Sequence, residues 1–418
     1  MKSAYYGHFQ PTMKNDTMTR SPRSCSPFQP NYHHRRYCYK NPILAAMVYL
    51  TDLAGLIVPR RRSVMVPAAI RRIGILVTDH LGDALLVTPL IRNLHRLYPE
   101  SKLIIITTSY ARMIFQHHPL CHQIIQVETP WLSKAEVRHW AWGSWLNLVK
   151  TLKQARLDLA IDTRSDARQI LAMYIAHIPW RIGFTFSGLG FLLNLPIPFR
   201  YNPDYIANYQ VDNKLKLLEP LRGNRRELVW DRRLEFYFSP DYLPASRAAS
   251  LPPESYWVLQ VGGGGSKSAI NAFPSHLILP LVNYVIAQTD RNLLIVGKSQ
   301  ETPELILPSS SRVIDLRDGT GLEDLAWVIA HSELVIGSSS VTLHLAACFN
   351  RSSLAVFSLR DSPRLWNPPG SNHRMLYHMV PCALCECDTC SDPICIREIQ
   401  FSDMIKLINR LRTPERKK

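Results

Sequence analysis

From residue 71 onward, apolar runs alternate with amphipathic stretches, and short polar turns separate them. RRIGILV (71–77) is too uniformly apolar for a half-exposed strand and reads as a strand buried on both faces. A polar turn, Thr78–Asp83, leads into the helical run ALLVTPLIRNLHRLYP, and KLIIITT (102–108) follows as a second buried strand. That order is a β-α-β unit, which implies parallel strands and a right-handed crossover. QIIQV (123–127) and LDLAIDT (157–163) extend the series. The tryptophan-rich segment Trp131–Trp145 is expected either to cover part of a cleft or to carry the helix before LDLAIDT.

The same grammar restarts near residue 255. YWVLQV (256–261) runs into Gly262–Gly265; a helix over 274–289 and the strand NLLIVG (292–297) follow. Further strands are expected at 312–316, 334–337 and 353–358, with helices at 322–331 and 343–349. Two α/β lobes in succession predict paired Rossmann-like units, with ligands at the carboxyl ends of the strands. The expected division is an arm over 1–70, a first lobe over 71–250, a second over 251–400, and a terminal helix and tail over 401–418.

The arm departs from this pattern. Residues 1–40 have little apolar periodicity and read as a poorly ordered tail, whereas 42–58 form an apolar helix candidate followed by Arg60, Arg61 and Arg62. This run is short for a membrane span, which needs about 20 apolar residues, and Thr51 and Asp52 interrupt it. An interfacial helix gripping anionic lipid fits better than a span; packing on the protein's own surface is the other reading. It lies too far from the start for an ordinary signal peptide. Charge changes the picture in the same place. The chain carries +16 overall, but residues 1–72 hold twelve Lys and Arg against Asp16 and Asp52. Basic character therefore speaks to where the protein docks, and a nucleic-acid partner is not expected.

Three turns could carry chemistry. In Thr78–Asp83, Gly82 permits a tight turn, and Asp83 falls at or near a helix start. Asp83 is either an N-cap or a carboxylate facing the cleft as a general base. In the second lobe, Gly262–Gly265 with Ser266 and Lys267 is either a phosphate cradle or a plain flexible loop. In Ile336–Ala347, the serines either bind ribose or phosphate or cap the helix, and His344 reads as structural on its own. Nine cysteines include a cluster, Cys382-x2-Cys385-x-Cys387-x2-Cys390-x4-Cys395, with zinc ligation weighed against packed or redox-labile thiols. The spacing is shorter than in two-knuckle zinc sites, and the overall distribution suits a reducing compartment.

Taken together, RRIGILVTDHLGDALLVTPLIRNLHRLYPESKLIIITT, the Gly-rich loop with Phe273-Pro274, LRDGTGLEDLAWVIAHSELVIGSSSVTLHLAA, VFSLRDSPRLWNPPG and Cys395–Ile399 resemble glycosyltransferase family 9, the lipopolysaccharide heptosyltransferases. The resemblance covers roughly residues 71–410. It implies a GT-B fold, an acceptor on the first lobe and a nucleotide sugar, by default ADP-heptose, on the second. It also implies inverting, metal-independent transfer without a cofactor onto a lipid-linked glycan, on the cytoplasmic face of the membrane. Asp83 then matches the catalytic base, with His80 and Gly82 in its turn. Gly263, Gly264, Gly265, Ser266, Lys267, Ser339, Ser340 and His344 fall on the donor side. Two positions depart from the family pattern. Asn271 stands where a donor-phosphate lysine is expected, with Lys267 as a possible substitute, and Ser339-Ser340-Val341 replaces Asp-Ser/Thr-Gly. An impaired homologue that binds glycan or membrane, or a two-lobed sugar-nucleotide epimerase, are the alternative readings.

Overall fold

The computed structural model describes residues 36–57 except 40, 70–130 and 141–412, apart from 203, 224, 226, 245–252, 254, 264–268, 388 and 389. Twelve strands fall into two six-stranded parallel sheets. The first contains β1 (Arg72–Val77), β2 (Lys102–Thr107), β3 (Gln123–Gln126), β4 (Leu159–Asp162), β5 (Trp180–Phe184) and β6 (Leu195–Ile197), in the order β3-β2-β1-β4-β5-β6. The second contains β7 (Tyr256–Gln260), β8 (Asn292–Val296), β9 (Val313–Asp315), β10 (Leu334–Ser338), β11 (Ser352–Val356) and β12 (His373–Leu376), in the order β12-β11-β10-β7-β8-β9. Both sheets therefore have one doubly wound topology, with the strand order reversing between β1 and β4 and between β7 and β10. This is the expected pair of Rossmann-like lobes.

The helices, in chain order, are α1 (Pro42–Ala54), α2 (Leu81–Leu85), α3 (Thr88–Leu97), α4 (Arg112–Phe115), α5 (Trp142–Ala155), α6 (Ala167–Ile175) and α7 (Gln210–Lys216). They continue with α8 (Ser275–Gln288), α9 (Leu322–Ala330), α10 (Val341–Cys348), α11 (Pro363–Trp366), α12 (Ile394–Arg397) and α13 (Phe401–Arg412). The run expected as one helix after β1 is broken in two. Leu86 and Val87 form a turn and Pro89 sits in the first turn of α3, where its missing N–H costs nothing.

Packing follows the buried-strand pattern. Val149, Leu152, Ile170 and Met173 from α5 and α6 cover one face of the first sheet, and Leu281, Val285, Met404 and Ile408 from α8 and α13 cover one face of the second. The remaining faces join in one apolar cluster running from Ile75 and Leu90 to Val258, Ala326 and Ala346, which fastens the lobes together. Phe236 and Phe238 cross between them and pair with Phe349. The tryptophan-rich segment divides: 131–140 lie outside the described residues, while α5 is the helix before β4, its Trp145 donating to the Arg168 carbonyl at 2.9 Å.

Candidate active site

The crevice opens where the strand order reverses. Residues from the ends of β1 and β2 face residues from the ends of β7, β8, β10 and β11 across a cavity of about 1030 Å³. His80, Gly82, Asp83, Gly263, Asn271, Ser339, Ser340 and His344 all line it. The sequence-predicted residues that the structure describes thus meet in one cavity. Gly264, Gly265, Ser266 and Lys267 lie outside the described residues.

On the first lobe, β1 delivers the turn directly into α2. His80 is the N-cap residue in extended backbone and makes no side-chain capping bond. Its ring stacks near Tyr110, with centroids 6.3 Å apart. Asp83 is therefore not the N-cap; it is half-buried in the first turn and faces the cavity. Gly82 is needed for close approach, since a Cβ there would lie 3.2 Å from Cδ2 of His344 on the opposite lobe.

Beneath this turn lies a charged cluster that sequence reasoning missed. Buried Asp79 accepts from Arg164 Nη1 at 2.6 Å and lies 3.7 Å from Nζ of Lys214, itself buried in α7. Burial opposes ionisation of Asp79, but Lys214 and Arg164 outweigh it and hold the carboxyl below its ordinary range. Lys214 also donates to the Thr163 carbonyl at 2.6 Å. Both cations lie within charge–charge range of Asp83. Nearby, Asp162 accepts from the backbone N–H groups of Arg164 and Ser165, yet burial and the Asp166 carboxylate push its pKa up to about 7.

On the second lobe, Gly262 adopts φ +79°, and the N–H of Gly263 donates to a carboxylate oxygen of Glu301 at 2.8 Å. Ser340 is the N-cap of α10 without a side-chain capping bond. Its hydroxyl lies 3.2 Å from Oε1 of Gln260 and 2.7 Å from Oγ1 of Thr342. Gln260 also accepts from the backbone and hydroxyl of Ser338 and donates to the Gly262 carbonyl, tying the serine turn to the glycine run. Its amide at the end of an apolar strand was the available signal. Asn271 accepts from the Ser358 hydroxyl at 3.1 Å.

His344 is 3% exposed, and its Nδ1 is buried with no hydrogen-bond partner. Burial, with repulsion from His373, lowers its pKa to about 4, so the ring is neutral near pH 7. The ring is thus a neutral part of the cavity wall, its Cδ2 edge turned to Gly82 and its Nδ1 enclosed by protein.

The cysteines of the cluster are free thiols, with Cys395 buried beside Val380 and Leu359. Among the described residues no group of His, Cys, Asp or Glu has metal-holding geometry.

No family model matches the chain. A curated Haemophilus influenzae protein named "Putative glycosyltransferase" is 21% identical over 325 residues, covering 71% of this chain and 86% of that protein. Two solved structures share the fold. The E. coli ADP-heptose LPS heptosyltransferase II aligns with a TM-score of 0.61 at 18% identity, over 81% of this chain and 98% of its own. A glycosyl transferase family 9 protein of Veillonella parvula aligns with a TM-score of 0.63 at 14% identity, over 84% and 99%. The chain thus has the GT-B fold of these glycosyltransferases, and the expected fold class stands.

Proposed function

We propose that this protein is a glycosyltransferase that moves a sugar, by default heptose, from an ADP-activated donor to a hydroxyl of a lipid-linked glycan. One observation carries the reading: Asp83 projects from one sheet into the same crevice that the glycine run, the serine turn and neutral His344 enter from the other. Asp83 takes the proton of the acceptor hydroxyl as its oxygen attacks the anomeric carbon, and the bond to the diphosphate breaks on the opposite face. Arg164 and Lys214, held by Asp79, lie within charge range of Asp83 and brace the turn from beneath. The N–H of Gly263, now on Glu301, and the Ser339 and Ser340 hydroxyls receive the donor, and negative charge grows on its diphosphate as the bond breaks. The fold shared with the E. coli ADP-heptose enzyme supports the choice of donor.

Asn271 in place of the lysine favours a second reading, an impaired homologue that binds glycan or membrane without transferring a sugar. Titration with ADP-heptose and transfer to a lipid-glycan acceptor, run on wild type and Asp83→Asn, separate the two. The expected outcome is unchanged donor affinity and a fall in kcat of about 100-fold or more. Full turnover by Asp83→Asn would remove the base from the mechanism, and a wild type with neither donor binding nor turnover would favour the second reading.

A further inference from the structure

The helix of the arm is neither free nor buried. One stripe, Val48, Asp52 and Gly55, faces the first lobe. Val48 packs so close to Gly188 that a Cβ on that glycine would lie 2.5 Å from Cγ1 of Val48, and Gly55 abuts the ring of Phe191. A strap before the helix completes the dock. Tyr37 donates to Asp52 at 2.8 Å, the Cys38 N–H donates to the Phe186 carbonyl at 3.0 Å, and the Tyr39 hydroxyl donates to the Ser187 carbonyl at 3.0 Å. The other stripe is left bare. Ile43 is 71% exposed, Met47 59%, Leu50 61%, Leu53 48% and Ile57 86%.

The two polar residues that interrupt the apolar run are both accounted for. Asp52 is turned inward onto Tyr37, and the Thr51 hydroxyl donates to the Met47 carbonyl at 2.9 Å within the helix. The outer face therefore carries no unsatisfied polar side chain from either. A contiguous apolar stripe of this kind on a surface marks an interaction site. No helix among the described residues is long and apolar enough to cross a membrane.

We propose that the outer face of α1 and the turn after it seats the first lobe on an anionic lipid surface, lying in the plane of the interface. Charge selects this occupant over a second copy of the chain. Arg60, Arg61 and Arg62 follow the stripe directly, and residues 1–72 hold twelve basic residues against two acids, one of them the inward-facing Asp52. Two such arms brought together would repel, whereas anionic headgroups neutralise them. The dock on 185–191 makes the seat part of the lobe that holds Asp83, so that lobe sits at the membrane. The choice of this lobe as the membrane-proximal one rests on the proposed lipid-linked acceptor; lipid binding itself does not.

The test is flotation of the full chain with vesicles of phosphatidylcholine, and with a phosphatidylcholine–phosphatidylglycerol mixture. Wild type is expected to float with the mixture and stay behind with phosphatidylcholine alone. Met47→Glu/Leu50→Glu should bind at least about tenfold more weakly, because two apolar side chains that enter the lipid are replaced by carboxylates, while Leu50→Phe binds as wild type does. Replacing Arg60, Arg61 and Arg62 by Ser should weaken binding on the order of 100-fold, at about 1 kcal/mol for each basic residue. Unchanged thermal melting would show that the variants fold. Absence of flotation, or equal flotation by Met47→Glu/Leu50→Glu, overturns the proposal. So does a wild-type dimer in sedimentation equilibrium that the double variant converts to monomer, which would assign the face to a second copy. ADP-heptose titration alongside keeps the two readings separate, since donor binding fails or survives independently of the vesicles.

Discussion

Replacing His344 with Gln tests the electrostatics of the crevice through stability. The residue is 3% exposed at the cavity wall, and its pKa falls from the ordinary 6.5 to about 4. Between those values the unfolded chain takes up a proton that the folded chain refuses, so stability falls as pH drops through that window. Linkage at 1.36 kcal/mol per pKa unit puts the loss at about 2 kcal/mol between pH 7 and about pH 5. His373, also lowered to about 4 by burial, contributes a similar loss. Asp162 works the other way. Its pKa is raised to about 7, so it is destabilising when ionised, and it returns about 2 kcal/mol over the same interval. Wild type should therefore weaken only modestly on acidification, with the larger opposing terms concealed. Urea unfolding of wild type and His344→Gln at both pH values exposes the histidine term, because the gap between them should narrow by about 2 kcal/mol at the lower pH. For Asp162→Asn the wild-type advantage should instead grow by about 2 kcal/mol. A His344→Gln gap constant to within about 0.5 kcal/mol would refute the claim that the ring is held neutral by its burial.

Asp79→Asn removes the carboxylate between Arg164 and Lys214 and leaves the buried ammonium of Lys214 uncompensated. Chemical denaturation should show a loss of about 3–5 kcal/mol near pH 7. Because the folded carboxyl titrates below its ordinary range, that contribution is present above the unfolded value and disappears as pH falls through the lowered one. Gly262→Ala forces a Cβ to within 2.2 Å of the Glu301 carboxylate at a residue with φ +79°. It should cost about 1–3 kcal/mol and weaken ADP-heptose binding in calorimetry, and unchanged affinity would detach the glycine run from the donor. Finally, Asn271→Lys and Ser339→Asp should each alter donor affinity more singly than together, read by the same titration.

The sequence was most informative where a site residue directly follows a buried strand. The ends of β1, β7 and β10 lead into Asp83, Gly263 and Ser339–Ser340, so the strand pattern that gave the fold also located these turns. The short strands β5, β6 and β12 were not read. Pro179 precedes β5, Pro196 lies within β6, and β12 (HRML) shows no apolar run. β6 and β12 are edge strands and need less apolar surface. The Asp79–Arg164–Lys214 cluster was illegible for another reason. Lys214 in QVDNKLK has the look of a solvated helix position, and only the return of α7 toward the ends of β1 and β4 brings its ammonium to Asp79 and the Thr163 carbonyl. Gln260 likewise acts through Ser338 and Ser340, nearly 80 residues away. Nothing local announces such a partner.

The two donor-side departures from the family pattern have opposite signs, and the structure shows what takes their place. Asn271 lacks the positive charge of the lysine, and Ser339 lacks the negative charge of the acid, so together they leave the net charge of that wall unchanged. Neutral groups fill both positions. Asn271 is bonded to Ser358, while the serine turn is held by Gln260, whose Oε1 faces the Ser338 N–H, the Ser338 hydroxyl and the Ser340 hydroxyl at 3.0–3.2 Å. An amide oxygen has two lone pairs, so three donors exceed its capacity, and one hydroxyl is able to turn to a ligand without leaving Gln260 unsatisfied. With no acid at position 339 to repel a diphosphate, less cationic compensation is needed beside it. The paired loss is thus better explained as one exchange, charge for hydrogen bonds, than as two independent steps of decay.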